Sequence, residues 1–199
     1  MANLVNEDYF FGEIVIPNLN TEGNISSLEA NIEIYQKEIL MAEFGYVLYT
    51  AFMAGLAEDP VLEKWKDLRD GKSFEFELSG KTITRKWNGL INEEKISLIS
   101  DYTYYKIKEK EASHSSQIGE VNPNSENSTR TNSSDKIANA WLRMREMYGI
   151  TPRGFSKLND AYYIHYNDLP SLYNFLLANE TSYDDWEFEP KNSVNVFGY

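Results

Sequence analysis

From Leu28 to Phe52 apolar residues recur close to a 3.6-residue period, as Leu28, Ile32, Tyr35, Ile39, Ala42, Tyr46, Leu48, Tyr49 and Phe52. That is the period of an α-helix with one buried stripe. Glu29, Glu33, Lys37 and Glu38 fall mostly on the other side. A helix of this length must lay its stripe on something, so the chain is expected to be built around helix packing. Ser26 and Glu29 have capping-box spacing, which predicts a start at Ser26. Gly55 supplies a stop. Gly45 falls inside the run, costs about 1 kcal/mol relative to Ala, and is read as a place where another helix crosses closely.

The rest of the chain reads as shorter elements. Asp59-Pro60 suits the cap and first position of a second helix, with Val61, Leu62, Trp65 and Leu68 as its apolar face and Gly71 at its end. Residues 73–87 read as a β-hairpin. Phe74, Phe76 and Leu78 alternate with Glu75 and Glu77, Ser79-Gly80 turns, and Thr82 and Thr84 alternate with Ile83 and Arg85. The two Glu are expected to meet Lys81, Arg85 and Lys86 across the strands. A lone hairpin is marginal in water, so this one must lean on the helices or on a partner chain. A third helix is predicted over 92–110, capped by Asn92, and a fourth over 135–148, capped by Ser134. The fourth has Ile137, Trp141, Met144 and Tyr148 on one face and Arg143 and Arg145 off it. A helix over 168–179, begun near Asp168, would bury Leu172, Phe175 and Leu176, and residues 155–166 are read as a further helix.

Three segments stand outside this pattern. Residues 1–25 read as an extended N-terminal arm, with Phe10, Ile14 and Ile16 alternating. It would lie either on the chain's own core or on a neighbouring subunit. Residues 111–134 are rich in Ser and Asn, with Ile118 and Val121 as isolated apolar anchors. They read as a surface loop, or as a loop that orders on a partner. Residues 155–199 end in an apolar stretch holding Trp186, Phe188, Val194, Val196, Phe197 and Tyr199. This reads as two short strands or one extended tail that needs tying down. The fold class expected is mainly α: a small helical bundle over 26–154 with an inserted hairpin, followed by an extended, partly β C-terminal tail.

Composition narrows the function. The chain has no Cys, which excludes disulfides, thiolate catalysis and Cys-based metal sites. Only His114 and His165 are available as imidazoles, and they are far apart in sequence. There is no HExxH, phosphate-cradling glycine loop, GxSxG or calcium-loop spacing. Carboxylate pairs such as Glu75/Glu77 and Asp184/Asp185 read as surface charge. No enzyme, cofactor or metal is therefore expected. The net charge is −12. Residues 1–60 hold ten acids against Lys37 alone, and residues 154–199 hold seven against two bases. This is the opposite of a phosphate-gripping surface. No stretch nears the roughly 18 apolar residues of a membrane span, and MANLVNEDYFF lacks the pattern of a secretory signal. A protein without a membrane segment is expected. Tyr102, Tyr104 and Tyr105 wrap their helix, so either the core or a neighbouring subunit must surround it.

Several runs carry a resemblance. They are Tyr35-Gln36-Lys37-Glu38-Ile39-Leu40 and Gly45-Tyr46-Val47-Leu48-Tyr49, Trp65 with Leu68 and Gly71, Gly80-Lys81 leading to Trp87-Asn88-Gly89-Leu90, and Ser97-Leu98-Ile99 leading to Tyr102, Tyr104 and Tyr105. Glu126-Asn127-Ser128, Lys136, Ala140-Trp141, Tyr173, Phe175-Leu176, Trp186, Phe188 and Asn195-Val196-Phe197-Gly198 extend it. In these the chain resembles the head-completion, or adaptor, proteins of tailed-phage head–tail connectors, of the kind in phages of Bacteroides-like bacteria. It departs from the smaller helical adaptors by its hairpin and long C-terminal segment.

The resemblance implies a virion protein made and assembled in the host bacterial cytoplasm. It implies a homo-oligomeric ring, usually of twelve subunits, beneath the portal protein and above the next tail or connector protein, around a channel through which DNA passes without specific binding. Trp186, Phe188, Val194, Val196, Phe197 and Tyr199 would then dock on the portal or the neighbouring subunit. Phe74, Phe76, Ile118 and Val121 would meet the next ring. On this reading, deleting residues 183–199 would abolish docking and leave a folded monomer. Two other classes fit the same composition. One is an acidic mimic of DNA that binds a host factor, which needs its acids in paired surface rows. The other is an enzyme whose site the motifs do not reveal.

Overall fold

The computed structural model describes residues 3–19, 21–78, 81–112, 114–116, 119–121, 133–149 and 171–187. Its elements are α1 (Glu22–Phe44), α2 (Tyr46–Gly55), α3 (Glu63–Asp70), β1 (Lys72–Leu78), β2 (Lys81–Trp87), α4 (Leu98–Ala112), β3 (His114–Ser116), β4 (Gly119–Val121), α5 (Ser133–Tyr148) and α6 (Leu172–Ala178). Among the described residues the fold is mainly helical with a small antiparallel hairpin.

The centre of the packing is the first half of α4. Every residue from Ser97 to Tyr105 is buried, which is more than one face of a helix. α1 packs on one side of it and α5 on another. The three tyrosines that wrap α4 are thus covered by the chain's own core. Tyr102 donates to Glu38 Oε1 of α1 at 2.6 Å and meets Tyr35 edge-on at 6.4 Å. Tyr105 lies 4.7 Å from Trp141 of α5, ring centre to ring centre. Ile137, Trp141, Met144 and Tyr148 of α5 are all buried, as their spacing predicts.

Several element starts differ from expectation, each for a local reason. α1 begins one turn early, where the amides of Asn24 and Ile25 donate to Thr21 O, so Ser26 and Glu29 lie inside the helix and cap nothing. α3 begins at Glu63, and the Leu62 carbonyl, not Asp59, accepts its first amides. Trp65 and Leu68 are buried, but Leu62 is exposed. α4 begins six residues after Asn92. Asn92 instead closes a turn of its own, accepting from Ile96 N and donating to Ile96 O. Ser97 caps α4, its hydroxyl accepting from Ile99 N at 3.2 Å and donating to Leu90 O at 2.6 Å. α6 begins at Leu172, with Ser171 Oγ accepting from Asn174 N. Leu172, Phe175 and Leu176 are buried as expected. Asp168 and the helix expected over 155–166 lie outside the described residues.

The N-terminal segment is no free arm. It makes two 3-10 turns, Glu7–Tyr9 and Gly12–Ile14, and buries Val5, Tyr9, Phe10 and Ile14 in the common core. Leu4 N donates to Gln36 Oε1 at 2.7 Å, and the Tyr9 hydroxyl accepts from Asn92 N. Nor is the whole Ser/Asn-rich segment irregular. β3 and β4 pair antiparallel within it, His114 opposite Val121. Residues 117–118 and 122–132 lie outside the described part.

In the hairpin, Phe74 faces Arg85, Glu75 faces Thr84 and Glu77 faces Thr82. Directly opposed residues share a face of an antiparallel pair. Arg85 and Lys81 therefore stand on the Phe74 face and not on that of Glu75, and of the three expected basic partners only Lys86 shares the Glu75 side. The hairpin's root leans on α6. Phe74 meets Phe175 at 5.7 Å, Trp87 stacks on Phe175 at 6.3 Å, and Trp87 Nε1 donates to Leu68 O.

Candidate functional site

The long helix expected over 26–55 breaks at Gly45. Its φ of +79° is one that side-chain-bearing residues rarely adopt. Its amide still donates to Met41 O, closing α1, and its carbonyl accepts from Tyr49 N, opening α2. The helical period runs on through the break, which is why periodicity alone reads one helix. Gly45 also sits directly against the C-terminal segment, since a Cβ on it would lie 3.0 Å from Glu187 Cβ.

α2 reads YVLYTAFMAG and carries no Asp, Glu, Lys or Arg. One side is core. Leu48, Tyr49 and Phe52 are buried, Phe52 stands edge-on to Phe44 at 5.6 Å, and Trp65 packs where a side chain on Gly55 would otherwise stand. The other side is open. Tyr46 is 67% exposed and Val47 45%. Thr50 and Ala54 are exposed on the same face, and the Thr50 hydroxyl is spent on Tyr46 O at 2.9 Å. The result is an uncharged strip about 15 Å long on a protein of net charge −12. Such a strip lowers its free energy by being covered. Phe11 and Val15 form a second exposed apolar pair, on the N-terminal segment. That segment is held to the earlier part of α1 through Asn3 Nδ2–Glu29 O and Leu4 N–Gln36 Oε1.

The sequence-predicted docking residues divide. Trp186 is half-buried on its own chain. Its indole N–H donates to Glu43 O at 3.0 Å, and its ring meets Tyr173 at 5.5 Å. Glu187 N continues the anchor by donating to Phe44 O. Trp186 therefore ties the tail to the α1–α2 junction. Phe188, Val194, Val196, Phe197 and Tyr199 lie outside the described residues. Of the predicted inter-ring residues, Phe74 is buried against Phe175, so it cannot meet another ring without unpacking the core. Phe76 and Val121 are described in their backbone strands only, and Ile118 lies outside the described part.

A second constellation joins α4 to α5. Asp101, fully buried, receives both Nε (2.7 Å) and Nη2 of Arg143. Burial pushes the Asp101 carboxyl up to about 6, Arg143 pulls it the other way and offsets only part of this, and Glu13 adds a smaller upward push. The pair places an acid inside the protein and fastens α4 to α5 around it. Its sequence signal is Asp101's position beside Tyr102 in an apolar run. Arg143 gives no such signal, because its spacing puts it off the packed face of α5. A groove of about 770 Å³ beside Tyr9 and Asn92 is lined by Lys86 and Lys95 and by Asp70, Glu93 and Glu94, charges of both signs. Among the described residues no group of three or more His, Asp or Glu is placed to hold a metal, and no helix is long and apolar enough to cross a membrane.

Compared with family models, with curated proteins and with solved structures, the chain matches none.

Proposed function

We propose that the protein is a structural, ring-forming subunit of a tailed-phage head–tail connector. It would assemble with copies of itself beneath a portal in the bacterial host cytoplasm and remain in the virion around the DNA channel. The observation that carries this reading is the open, uncharged face of α2 (Tyr46, Val47, Thr50 and Ala54), a surface suited to protein contact in a chain otherwise dense in acids. A closed ring needs two different patches on each subunit, one for each neighbour. The pair Phe11 and Val15, on a different element, supports that requirement. The acidic balance supports a channel wall that repels phosphate and lets DNA slide.

The test is a charge placed on the strip. Val47 is exposed, so Val47→Asp leaves the core intact. Sedimentation should show the wild-type chain as an oligomer and Val47→Asp as a monomer with unchanged helical circular dichroism. An oligomer of wild-type mass in the variant would remove α2 from the interface.

A further inference from the structure

We propose that the α2 face is covered by residues 188–199 of a neighbouring copy, so that each subunit is strapped to the next by its C-terminal segment. This rests on the assembly reading above and names the contact that would close it.

Four observations converge on that occupant. First, the chemistry matches. Residues 188–199 carry Phe188, Val194, Val196, Phe197 and Tyr199 but only Glu189 and Lys191 as charged side chains. An uncharged strip gains by meeting an uncharged segment and loses by meeting the acidic remainder of the surface. Second, the segment leaves from a fixed point on the surface. Tyr183 is buried, with its hydroxyl donating to Lys64 O at 2.6 Å, Trp186 is tied to Glu43 O, and Glu187 is exposed beside Gly45. This root is held by hydrogen bonds to the fold, so residues 188–199 start beside Gly45. Third, the face stands open on its own chain, with Tyr46 and Val47 both exposed, so a neighbouring copy has it free to cover. Fourth, the length suffices. Twelve residues span up to about 40 Å when extended, against about 15 Å for α2. The apolar residues Val194, Val196 and Phe197 therefore have the reach to lie along a face on an adjacent molecule.

The chain's lack of cysteine makes the test clean, because every thiol is an introduced one. Two full-length single variants are mixed, Val47→Cys and one of Val194→Cys, Val196→Cys or Phe197→Cys, and oxidised gently. At least one pairing should give an interchain disulfide dimer that is lost on reduction. Glu75→Cys, exposed on the hairpin, should give none with the same tail variants. A double variant carrying both cysteines reports the alternative. If it closes within one chain while the mixture yields no dimer, the segment covers its own α2 and the exchange is overturned. Equal crosslinking to Glu75→Cys, or none at all, overturns it too. Sedimentation of the same samples separates the two proposals. Oligomers without the 47-to-tail disulfide refute the strap and leave assembly standing, whereas monomers at every concentration refute assembly itself.

Discussion

The most consequential residue of the interior is Asp101. It sits in the stretch of α4 that is buried all round, and it is held there by two N–H groups of Arg143. A buried carboxylate is costly unless paired, and removing one partner of such a pair typically costs about 3–5 kcal/mol. Arg143→Met should therefore destabilise the fold by roughly 3 kcal/mol at pH 7, read from urea unfolding. The loss should shrink at pH 5. In the native protein the Asp101 carboxyl is raised to about 6 by burial, above the ordinary carboxyl value of about 3.9 in an unfolded chain. Its favourable contribution is thus fully present below about pH 4 and is lost as pH rises through about 6. Without Arg143 the group is driven further toward its neutral form, and protonation at pH 5 relieves the unpaired charge. A destabilisation equal at both pH values would mean that Asp101 is not the ionised partner.

At the scale of elements, the C-terminal segment has two parts that the sequence presents as one. Tyr183 and Trp186 belong to the fold. Tyr183 packs between Trp65 and Phe175 at 6.2 and 5.8 Å and bonds Lys64 O, and Trp186 closes over the α1 terminus. Truncation after Ser182 should therefore cost several kcal/mol, on the order of 3–5 for the buried Tyr183 and less for the half-buried Trp186. Truncation after Glu187 should leave the thermal midpoint close to that of the full chain. Equal midpoints for the two truncations would return Tyr183 and Trp186 to the docking tail. These contacts correct the expectation that residues 183–199 can be removed without harm to the monomer.

The division also shows what is legible in the sequence. Helix faces are readable wherever a single period meets a single partner surface, as in α5 with Ile137, Trp141, Met144 and Tyr148, and in α6. The hairpin and its boundaries are readable from strict alternation. Ser26, Asp59 and Asn92 mislead as helix starts, because each has cap chemistry but the helix opens three to five residues away, at Thr21, Leu62 and Ser97. The break at Gly45 is hidden because a change of direction at one glycine leaves the apolar period undisturbed. The anchoring contacts of Trp186 are not readable because its partners, Glu43 and Tyr173, are remote in sequence and nothing local announces them. The open face of α2 is invisible for a similar reason. Tyr46 is in the apolar stripe by period, and only the turn at Gly45 carries it out of the core.

At the scale of the whole molecule, the described core needs no neighbour to surround it. α1 and α5 pack on α4, α6 packs on the hairpin, and the N-terminal turns pack on α1 and α5. Outside it, exposed apolar side chains stand on an acidic body, among them Tyr46 and Val47 on α2, Phe11 and Val15 on the N-terminal segment, Ile34 on α1 and Leu62 before α3. A subunit that meets its two neighbours through different patches propagates contacts in one rotational sense, and the arrangement closes when the rotation divides a full turn. The proposed assembly into a ring is open to electron imaging of the purified chain over a range of concentrations. Closed rings with an open central channel are expected. Particles that stay monomeric at every concentration, or that grow as open filaments without closure, would contradict it.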